Sequence, residues 1–216
     1  MTSFWEQDTL QSVQETKRCG KSAAASLSEK TDEELAVLLQ NDVQEALDIL
    51  VLRYKDALLN FIFRFLGNME LSRDVLQETF IRLWEKRSLY RSCGRFSTWI
   101  YTIAANLARS ELRRPSRRLL VPVIQHDAEG EEYEIPLRDT EPLPDRVADT
   151  EFRYRRIQEA LLALPVVFRE AVILCDIQEL AYEEIAAIIG QPIGTVKSRI
   201  NRGRAMLRSM LRDIYD

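Results

Sequence analysis

The apolar residues between positions 47 and 65 recur at steps of three and four, and this spacing constrains the fold more than any other feature of the chain. They are Leu47, Leu50, Val51, Tyr54, Leu58, Ile62 and Phe65. Because an α-helix turns once in about 3.6 residues, these steps place all of the side chains on one face. The stripe predicts a long amphipathic helix that begins near residue 42 and ends at Gly67-Asn68, where a glycine is suited to the helix terminus.

Three more helices are predicted in the N-terminal half. Thr31 and Glu34 have the spacing of a capping box, so we expect a short helix from there to Gln40. A third helix is expected over residues 70–86, and a fourth over residues 96–114, directly before a proline.

Residues 116–148 differ in composition from the sequence on either side. They lack helical spacing and contain Pro122, Pro136, Pro142 and Pro144 among many acidic residues, which is typical of a linker. Helical spacing resumes near Asp149. We therefore predict an all-α chain with a flexible tail over 1–30, a small helical domain over 31–115, an acidic linker over 116–148, and a second helical domain over 149–216.

Charge is distributed unevenly, although the net charge is only −4. Residues 191–212 contain six lysine and arginine residues and no aspartate or glutamate. Residues 103–118 contain five arginines and a single acid, Glu111. The pattern predicts two cationic surfaces separated by an anionic connector, as in proteins that bind nucleic acid. Ordinary solvated helix faces are the alternative.

Several functional classes are disfavoured by what the sequence contains. The three cysteines are far apart and the single histidine, His126, lies in an acidic segment, so we expect neither a disulfide framework nor a metal site. We expect no enzyme, no cofactor and no catalytic residue, because the chain has neither a serine–histidine–aspartate set nor a phosphate-binding glycine loop. No apolar stretch approaches the roughly 18 residues of a membrane span, and the N-terminus lacks a signal sequence, so we expect a cytoplasmic protein without membrane insertion.

Residues 180–207, LAYEEIAAIIGQPIGTVKSRINRGRAML, are the most informative segment. Ile185 and Ile189 suit the buried face of one helix, Val196 and Ile200 suit that of the next, and Gly190 can adopt the positive φ of a sharp turn. This pattern predicts a helix-turn-helix. The outward face of the second helix would then carry donors for phosphates and base edges: Thr195, Lys197, Ser198, Arg199 and Arg202. A plain helical hairpin is the alternative.

Residues 160–207 resemble the promoter-binding domain of extracytoplasmic-function (ECF) sigma factors. The matching residues are Leu164, Pro165, Arg169, Asp176, Glu179, Tyr182, Glu184, Ile185, Ala186, Gly190, Gly194, Thr195, Val196, Lys197, Ser198 and Arg199. The resemblance implies that the outward face of the second helix contacts the −35 element of a promoter. Leu180 and Ala181 depart from the family pattern, which usually has Gly and a Ser or Thr there. We expect a different start of the first helix, because a lost hydroxyl cap costs about 1 kcal/mol.

A second motif, Asp74-Val75-Leu76-Gln77-Glu78-Thr79-Phe80, has a polar, acidic face beside an apolar one. Taken alone, this face is more simply explained by solvent exposure. The motif is similar to the sigma-factor helix that docks on the clamp coiled coil of the polymerase largest subunit. The resemblance therefore implies that Asp74, Gln77 and Glu78 bind core RNA polymerase.

Residues 94–109 are similar to the promoter-melting element of the same family. Opening a duplex requires a cationic track for the strand and surfaces that receive unstacked bases. The resemblance implies that these roles belong to Arg95, Phe96, Trp99, Asn106, Arg109 and Arg113, and that the loop over 88–94 captures a flipped base of the −10 element. Aromatic residues at helical spacing are more often core residues, and for Trp99 we favour the core.

The two motifs together predict a sigma factor that binds core RNA polymerase and promoter DNA in the bacterial cytoplasm. The resemblance also implies an anti-sigma factor as a partner. The alternative is a helix-turn-helix transcriptional regulator with a helical sensor domain. That alternative explains the C-terminal segment but gives residues 74–80 no role.

Overall fold

The computed structural model describes residues 27–91, 94–114 and 144–212, and of residues 144–151 it describes the backbone alone. Every regular element assigned in these ranges is helical, which confirms the all-α prediction. Most of the predicted tail, the linker up to residue 143, Cys19, Cys93 and His126 lie outside the described residues.

Four α-helices form the N-terminal body. They are α1 (Asp32–Gln40), α2 (Gln44–Leu66), α3 (Met69–Glu85) and α4 (Phe96–Arg113), with a 3₁₀ turn at Arg87–Leu89 before α4. The predicted capping box at Thr31 is present: its hydroxyl accepts from Glu34 N at 3.2 Å, and Glu34 Oε2 accepts from Thr31 N at 2.8 Å. Gly67 ends α2 with φ of +74°, the left-handed conformation that favours glycine.

The core of this body lies along α2, which packs against α1, α3 and α4. Leucine and phenylalanine side chains from all four helices are fully buried there: Leu35, Leu39, Leu50, Leu58, Phe61, Phe65, Leu83 and Phe96. Burying one such side chain contributes roughly 1.5–3 kcal/mol. The apolar stripe of α2 therefore organises the N-terminal body.

Four further helices form the C-terminal body. They are α5 (Pro144–Ala163), α6 (Val166–Val172), which continues as a π-helical turn at Ile173–Ile177, then α7 (Tyr182–Ile189) and α8 (Ile193–Met210). The predicted start of α5 near Asp149 is wrong, because the helix already begins at Pro144. A proline is tolerated at the first helical position, where its missing N–H has no helical partner to lose.

The helix α8 crosses α6 closely at Gly203. A Cβ atom at this position would lie 2.5 Å from Val172 Cγ2 and 3.4 Å from the backbone oxygen of Phe168. Gly203, Val196 and Ile200 form the buried side of α8. The small residue thus allows the approach that sets the orientation of α8.

The two bodies pack against each other, with α4 against α7 and α2 against α5. Arg169 of α6 is buried at this boundary, and its Nη1 donates to Phe65 O of α2 at 2.7 Å. Burial lowers the pKa of Arg169 to about 10. Gln158 Nε2 of α5 donates to Phe63 O at 3.4 Å and to Arg64 O at 3.3 Å. Side chains of the second body therefore satisfy carbonyls at the C-terminal end of α2.

No helix within the described ranges is long and apolar enough to cross a membrane. In the same part of the chain, no three histidine, cysteine, aspartate or glutamate side chains converge as a metal site would require.

Candidate nucleic-acid interface

The outer face of α8 carries the predicted DNA-binding side chains of the C-terminal body. Lys197, Ser198 and Arg202 are exposed, whereas Thr195 and Arg199 are half-buried. The opposite face is anchored in the core by Val196 and Ile200. The structure thus brings the five predicted residues together on one helix and leaves three of them exposed to solvent.

The turn before α8 has the geometry of a helix-turn-helix. Gly190 ends α7 with φ of +70°, and its N–H donates to Ala186 O at 2.9 Å. Pro192 then occupies the cap position before α8 in an extended conformation. Lys197 Nζ lies 5.6 Å from the ring centroid of Tyr182 in α7, a cation–π distance. The aromatic ring of the first helix therefore helps to orient a cation of the second.

A charged pair fixes the middle of α8 to the π-helical turn at Ile173–Ile177 of the same body. The guanidinium of Arg204 contacts both carboxylate oxygens of Asp176, with Nε 3.0 Å from Oδ2. The hydrogen bond to Asp176 raises the pKa of Arg204 above its usual value. Arg204 is basic like its neighbours, but it is engaged within the protein.

Phe96 at the start of α4 is a core residue. Its ring is fully buried and packs edge-on against Tyr54, with centroids 5.4 Å apart. It cannot contact a DNA strand unless the core opens, so a direct role in the melting surface finds no support in this geometry. The direct contact was implied by the resemblance alone, since an aromatic residue at this helical spacing is more often a core residue.

The other predicted residues of the melting element differ in exposure. Trp99 is half-buried and packs on Tyr90, with ring centroids 5.2 Å apart. Asn106 and Arg113 are exposed, and so is Arg95, whose side chain is 73% accessible. Arg109 is half-buried. A cationic surface with one half-covered indole therefore runs along α4.

Tyr90 is a structural residue of the 88–94 loop that the sequence did not reveal. Its backbone oxygen accepts from Gln40 Nε2 at 2.8 Å, and its hydroxyl donates to Gly94 O at 3.3 Å. Ser92 and Cys93, between these anchors, lie outside the described residues. Tyr90 thus holds both ends of the segment that was predicted to capture a base. In the sequence, only the position of Tyr90 in the loop and its aromatic side chain indicated a structural role.

The predicted polymerase-binding face lies on the outside of α3. Asp74 and Gln77 are exposed. Glu78 is half-exposed and accepts from Arg82 Nε at 2.7 Å. Val75 and Leu83 anchor the opposite side of the helix in the core. The three predicted residues therefore share one accessible polar strip.

Comparison with known proteins assigns these two bodies to a family. The family described as Sigma-70 region 2 matches residues 50–118, and the family described as Sigma-70, region 4 matches residues 154–207. The ECF RNA polymerase sigma factor SigW of Bacillus subtilis is 36% identical over 172 residues, which cover 79% of this chain and 91% of SigW. The chain belongs to the ECF sigma factors. They direct RNA polymerase to particular promoters.

Two further similarities agree with this family. The ECF sigma factor SigE of Mycolicibacterium smegmatis is 39% identical over 165 residues, which cover 76% of this chain but 61% of SigE. The Bartonella quintana sigma factor RpoE, solved with the anti-sigma factor NepR, has a TM-score of 0.58 at 25% identity and covers 75% of this chain and 94% of its own. The alternative of a regulator with a sensor domain is excluded, because region 2 accounts for the N-terminal helices.

In this sigma factor α4 contacts the second body. Ser97 Oγ of α4 donates to Glu184 Oε1 of α7 at 3.3 Å, and Tyr101 Oη of α4 donates to Gln178 Oε1 at 2.6 Å. Arg109 Nε lies 3.7 Å from Glu170 Oε1. None of these contacts between α4 and the second body was evident from the spacing or charge of the residues involved.

Glu170 is the most buried acid at this contact, with only 4% of its side chain exposed. Burial raises its pKa above the usual value, and the positive charges of Arg109 and Arg199 oppose the shift. One carboxylate therefore faces an arginine from each of the two predicted DNA-binding helices.

Proposed function

We propose that this sigma factor binds core RNA polymerase through α3 and holds promoter DNA at two places, through α8 at the −35 element and through α4 at the −10 element. The observation that carries the proposal is the outer face of α8. Lys197, Ser198 and Arg202 are exposed there, and residues 191–212 contain no acid to repel a phosphate backbone.

For the −35 element, we propose that α8 enters the major groove with Thr195, Lys197, Ser198, Arg199 and Arg202 toward the DNA. Lysine and arginine neutralise phosphates and can also donate to guanine, and serine and threonine donate to either kind of partner. The ion pair between Arg204 and Asp176 supports this role. It limits the rotation of α8 about its own axis when DNA binds to the outer face.

For the −10 element, we propose that Arg95, Arg109 and Arg113 follow the backbone of the melted strand, with Asn106 and Trp99 toward its bases. A half-exposed indole offers one stacking face to a base while its other side stays in the core. The ring of Phe96 supports Trp99 from below, with centroids 6.0 Å apart. We therefore assign Phe96 an indirect role in place of the predicted direct contact.

For core polymerase, we propose docking through Asp74, Gln77 and Glu78. These side chains form a strip of acceptors on a rigid helix, which complements a basic or amide-rich helical partner. We also propose an anti-sigma factor as a partner, on the basis of the likeness to the Bartonella sigma factor solved with one. Polymerase and promoters are in the bacterial cytoplasm, so we expect the chain to act there.

Binding the −35 and −10 elements at the same time requires the two bodies to separate. The −35 and −10 elements lie about 25 base pairs apart, or about 85 Å along the duplex, whereas α4 and α7 are in direct contact. The 29 residues of segment 115–143, fully extended, reach about 100 Å. The connector is therefore long enough for both helices to engage one promoter once the contact between the bodies has been broken.

The test is transcription with purified components. Core polymerase plus the sigma factor should co-elute from a sizing column and give discrete run-off start sites on genomic DNA that core alone does not give. Asp74→Arg combined with Glu78→Arg should abolish co-elution, whereas Asp56→Arg, at an exposed site on α2, should not. Separate elution of the unmodified chain and core polymerase would refute the proposal.

A further inference from the structure

The indole of Trp99 packs on two buried aromatic rings. Its ring centroid lies 5.2 Å from that of Tyr90 and 6.0 Å from that of Phe96, and the centroids of these two rings are 6.0 Å apart. Tyr90 is 6% exposed and Phe96 is fully buried, whereas Trp99 is half-buried. Trp99 is therefore the ring of this cluster that a ligand can reach, and the other two rings support it.

Both supporting residues are held at their backbone by α1. Gln40, the last residue of α1, donates through Nε2 to Tyr90 O at 2.8 Å. Glu33, in the first turn of α1, accepts through Oε1 from Phe96 N at 3.3 Å. The helix α1 also packs against α4 and against the 3₁₀ turn that precedes Tyr90. The two ends of α1 thus hold the two residues that support the indole.

Glu33 also stabilises the start of α4. Arg95 occupies the cap position of α4 without a side-chain hydrogen bond, and the first turn of α4 contains no acidic residue. The free amides and the positive end of the helix dipole favour a carboxylate at this place, and Glu33 supplies one from α1. The orientation of the helix that carries Trp99 therefore depends on α1.

A third link holds the 3₁₀ turn before Tyr90. Arg87 Nε donates to Asp42 Oδ1 at 2.7 Å, and Tyr90 N donates to Arg87 O at 3.3 Å. Asp42, which follows α1, has φ of +63°, a conformation that is uncommon for residues other than glycine but is tolerated by aspartate. The chain that leaves α1 is therefore joined to the same turn.

We propose that Gln40 and Glu33 are positioning residues for the stacking of an unpaired −10 base on Trp99. The inference rests on the proposed function and gives α1 a role in base capture. The Sigma-70 region 2 family matches residues 50–118, so α1 lies outside the matched range. Stacking depends on the distance and orientation of the two ring planes, so a loosened support weakens the stack without removing the indole.

The experiment measures the affinity of core polymerase with each variant for fork DNA. The fork is duplex through the −35 element and carries the non-template −10 strand of a promoter mapped by run-off transcription in single-stranded form. A matched series replaces each −10 nucleotide in turn by an abasic one. Trp99→Ala should weaken binding of the intact fork, and on one abasic fork it should cause no further loss. That position identifies the stacked base.

Gln40→Met and Glu33→Met should each lower the affinity for the intact fork by roughly fivefold, the lower end of what one base stack contributes. On the abasic fork identified with Trp99→Ala, neither should have an effect. Gln40→Glu tests the same contact with a side chain of nearly the same shape, because it places an acceptor opposite the Tyr90 carbonyl. It should show the same loss as Gln40→Met.

Gln40→Lys and Glu33→Gln are the conservative variants. Lysine keeps a donor and glutamine keeps an acceptor at the respective places, so both variants should bind the intact fork like the unmodified protein. Gln44→Met and Glu45→Met change the same residue types at exposed sites of α2. These two controls should leave the affinity for every fork unchanged.

Three results would overturn the inference and leave the proposed function standing. They are equal losses on the intact and abasic forks, an unchanged affinity of Gln40→Met and Gln40→Glu beside a loss for Trp99→Ala, and conservative variants that lose as much as the methionine variants. If Trp99→Ala binds every fork normally, or if the unmodified chain binds no fork with core polymerase, the proposed function at the −10 element has itself failed and the inference falls with it.

Discussion

Gly67, which ends α2, lies directly against Leu162 of α5. A Cβ atom on Gly67 would stand 2.5 Å from Leu162 Cδ1, and the residue has φ of +74°. The end of a helix in the first body is thus also a contact point for the second. A side chain here would impose two separate costs, one on the backbone and one on the contact between the bodies.

Gly67→Ala is therefore expected to cost more than the same change at Gly190. Both residues have positive φ, so alanine pays about 1–2 kcal/mol of backbone strain at either site. At Gly190 no atom lies within 4 Å of the new Cβ, so the strain is the whole effect. Urea unfolding of both variants measures the difference, which Leu162→Ala should remove in the Gly67 background. Equal losses at the two glycines would contradict the contact.

Much of the fold followed from the spacing of apolar residues. The stripe from Leu47 to Phe65, the capping box at Thr31 and the glycine at position 67 define α1 and α2 almost to the residue. The reason is physical, since periodicity and caps act within a few residues of chain. The start of α5 was missed because a proline at the first helical position resembles one in a loop.

The contact between the two bodies could not be predicted from the spacing of residues, because its partners are distant in sequence. Periodicity says that Tyr101 faces a neighbour but not that the neighbour includes Gln178, 77 residues away. Arg169 and Glu170 are charged, and charged residues are rarely buried, so nothing marked them as interior. The donor set on α8 was predictable because a helix-turn-helix fixes which face points outward. The burial of Phe96 could not be predicted in this way, because it depends on which residues of other helices surround the ring.

Gly203→Ala sets helix propensity against packing. Alanine gains about 1 kcal/mol over glycine within a helix, but the new Cβ would lie 2.5 Å from the buried Val172. Overpacking a core costs roughly 1–3 kcal/mol, so we expect a net loss of stability and weaker binding of −35 DNA. Thermal unfolding and a DNA titration test this.

Gly194→Ala is the matched control on the same helix, since no atom lies within 4 Å of a Cβ there. It should raise the free energy of unfolding. In the Gly203→Ala background, Val172→Ala should recover part of the loss, because it vacates the space that the new methyl group enters. A stabilised Gly203→Ala variant would show that α6 and α8 do not meet at this point.

Arg202→Ala and Arg204→Ala both remove one arginine from α8, but the first should reduce DNA affinity and the second should reduce stability. Arg202 is exposed and faces outward, so its loss should weaken −35 binding and reduce the slope of log affinity against log salt by about 0.9. Arg204 is engaged by Asp176, so its loss should lower thermal stability first. Fluorescence anisotropy at several salt concentrations separates them, and identical salt slopes would contradict the assignment.

Glu170→Gln should alter the pH dependence of stability. Burial raises the pKa of Glu170 in the folded protein above its ordinary value of 4.5, so the folded state holds this proton more tightly than the unfolded state. The free energy of unfolding of the unmodified protein should therefore fall, relative to the variant, as pH rises above 4.5 toward the raised pKa. Glutamine, which does not titrate, removes this component.

Urea unfolding of the two proteins across that range gives the comparison, with Glu183→Gln, an exposed acid of α7, as the control. Arg109 and Arg199 oppose the shift, so their attraction must be smaller than the cost of burial for the prediction to hold. Unfolding curves of Glu170→Gln that run parallel to those of the unmodified protein at all pH values would mean that the arginines compensate fully.

Ala181→Ser should stabilise α7. Ala181 is at the cap position with extended φ and ψ of −66° and 151°, and Glu184 Oε2 accepts from its N–H at 3.0 Å. Alanine has no oxygen to complete the reciprocal half of the box, whereas a serine hydroxyl at the same place can accept from a first-turn amide. Replacing alanine by serine at a cap is worth about 1 kcal/mol, or roughly 2–4 °C in Tm for a chain of this size.

The control for this change is Ala187→Ser. Ala187 is also exposed, but it lies inside α7, where serine is a poorer helix former than alanine by a few tenths of a kcal/mol. The two serines add the same hydroxyl to the same short helix, yet their effects on Tm should have opposite signs. Shifts of equal sign would mean that the hydroxyl acts through solvation or the unfolded chain, and that Glu184 alone already satisfies the start of α7.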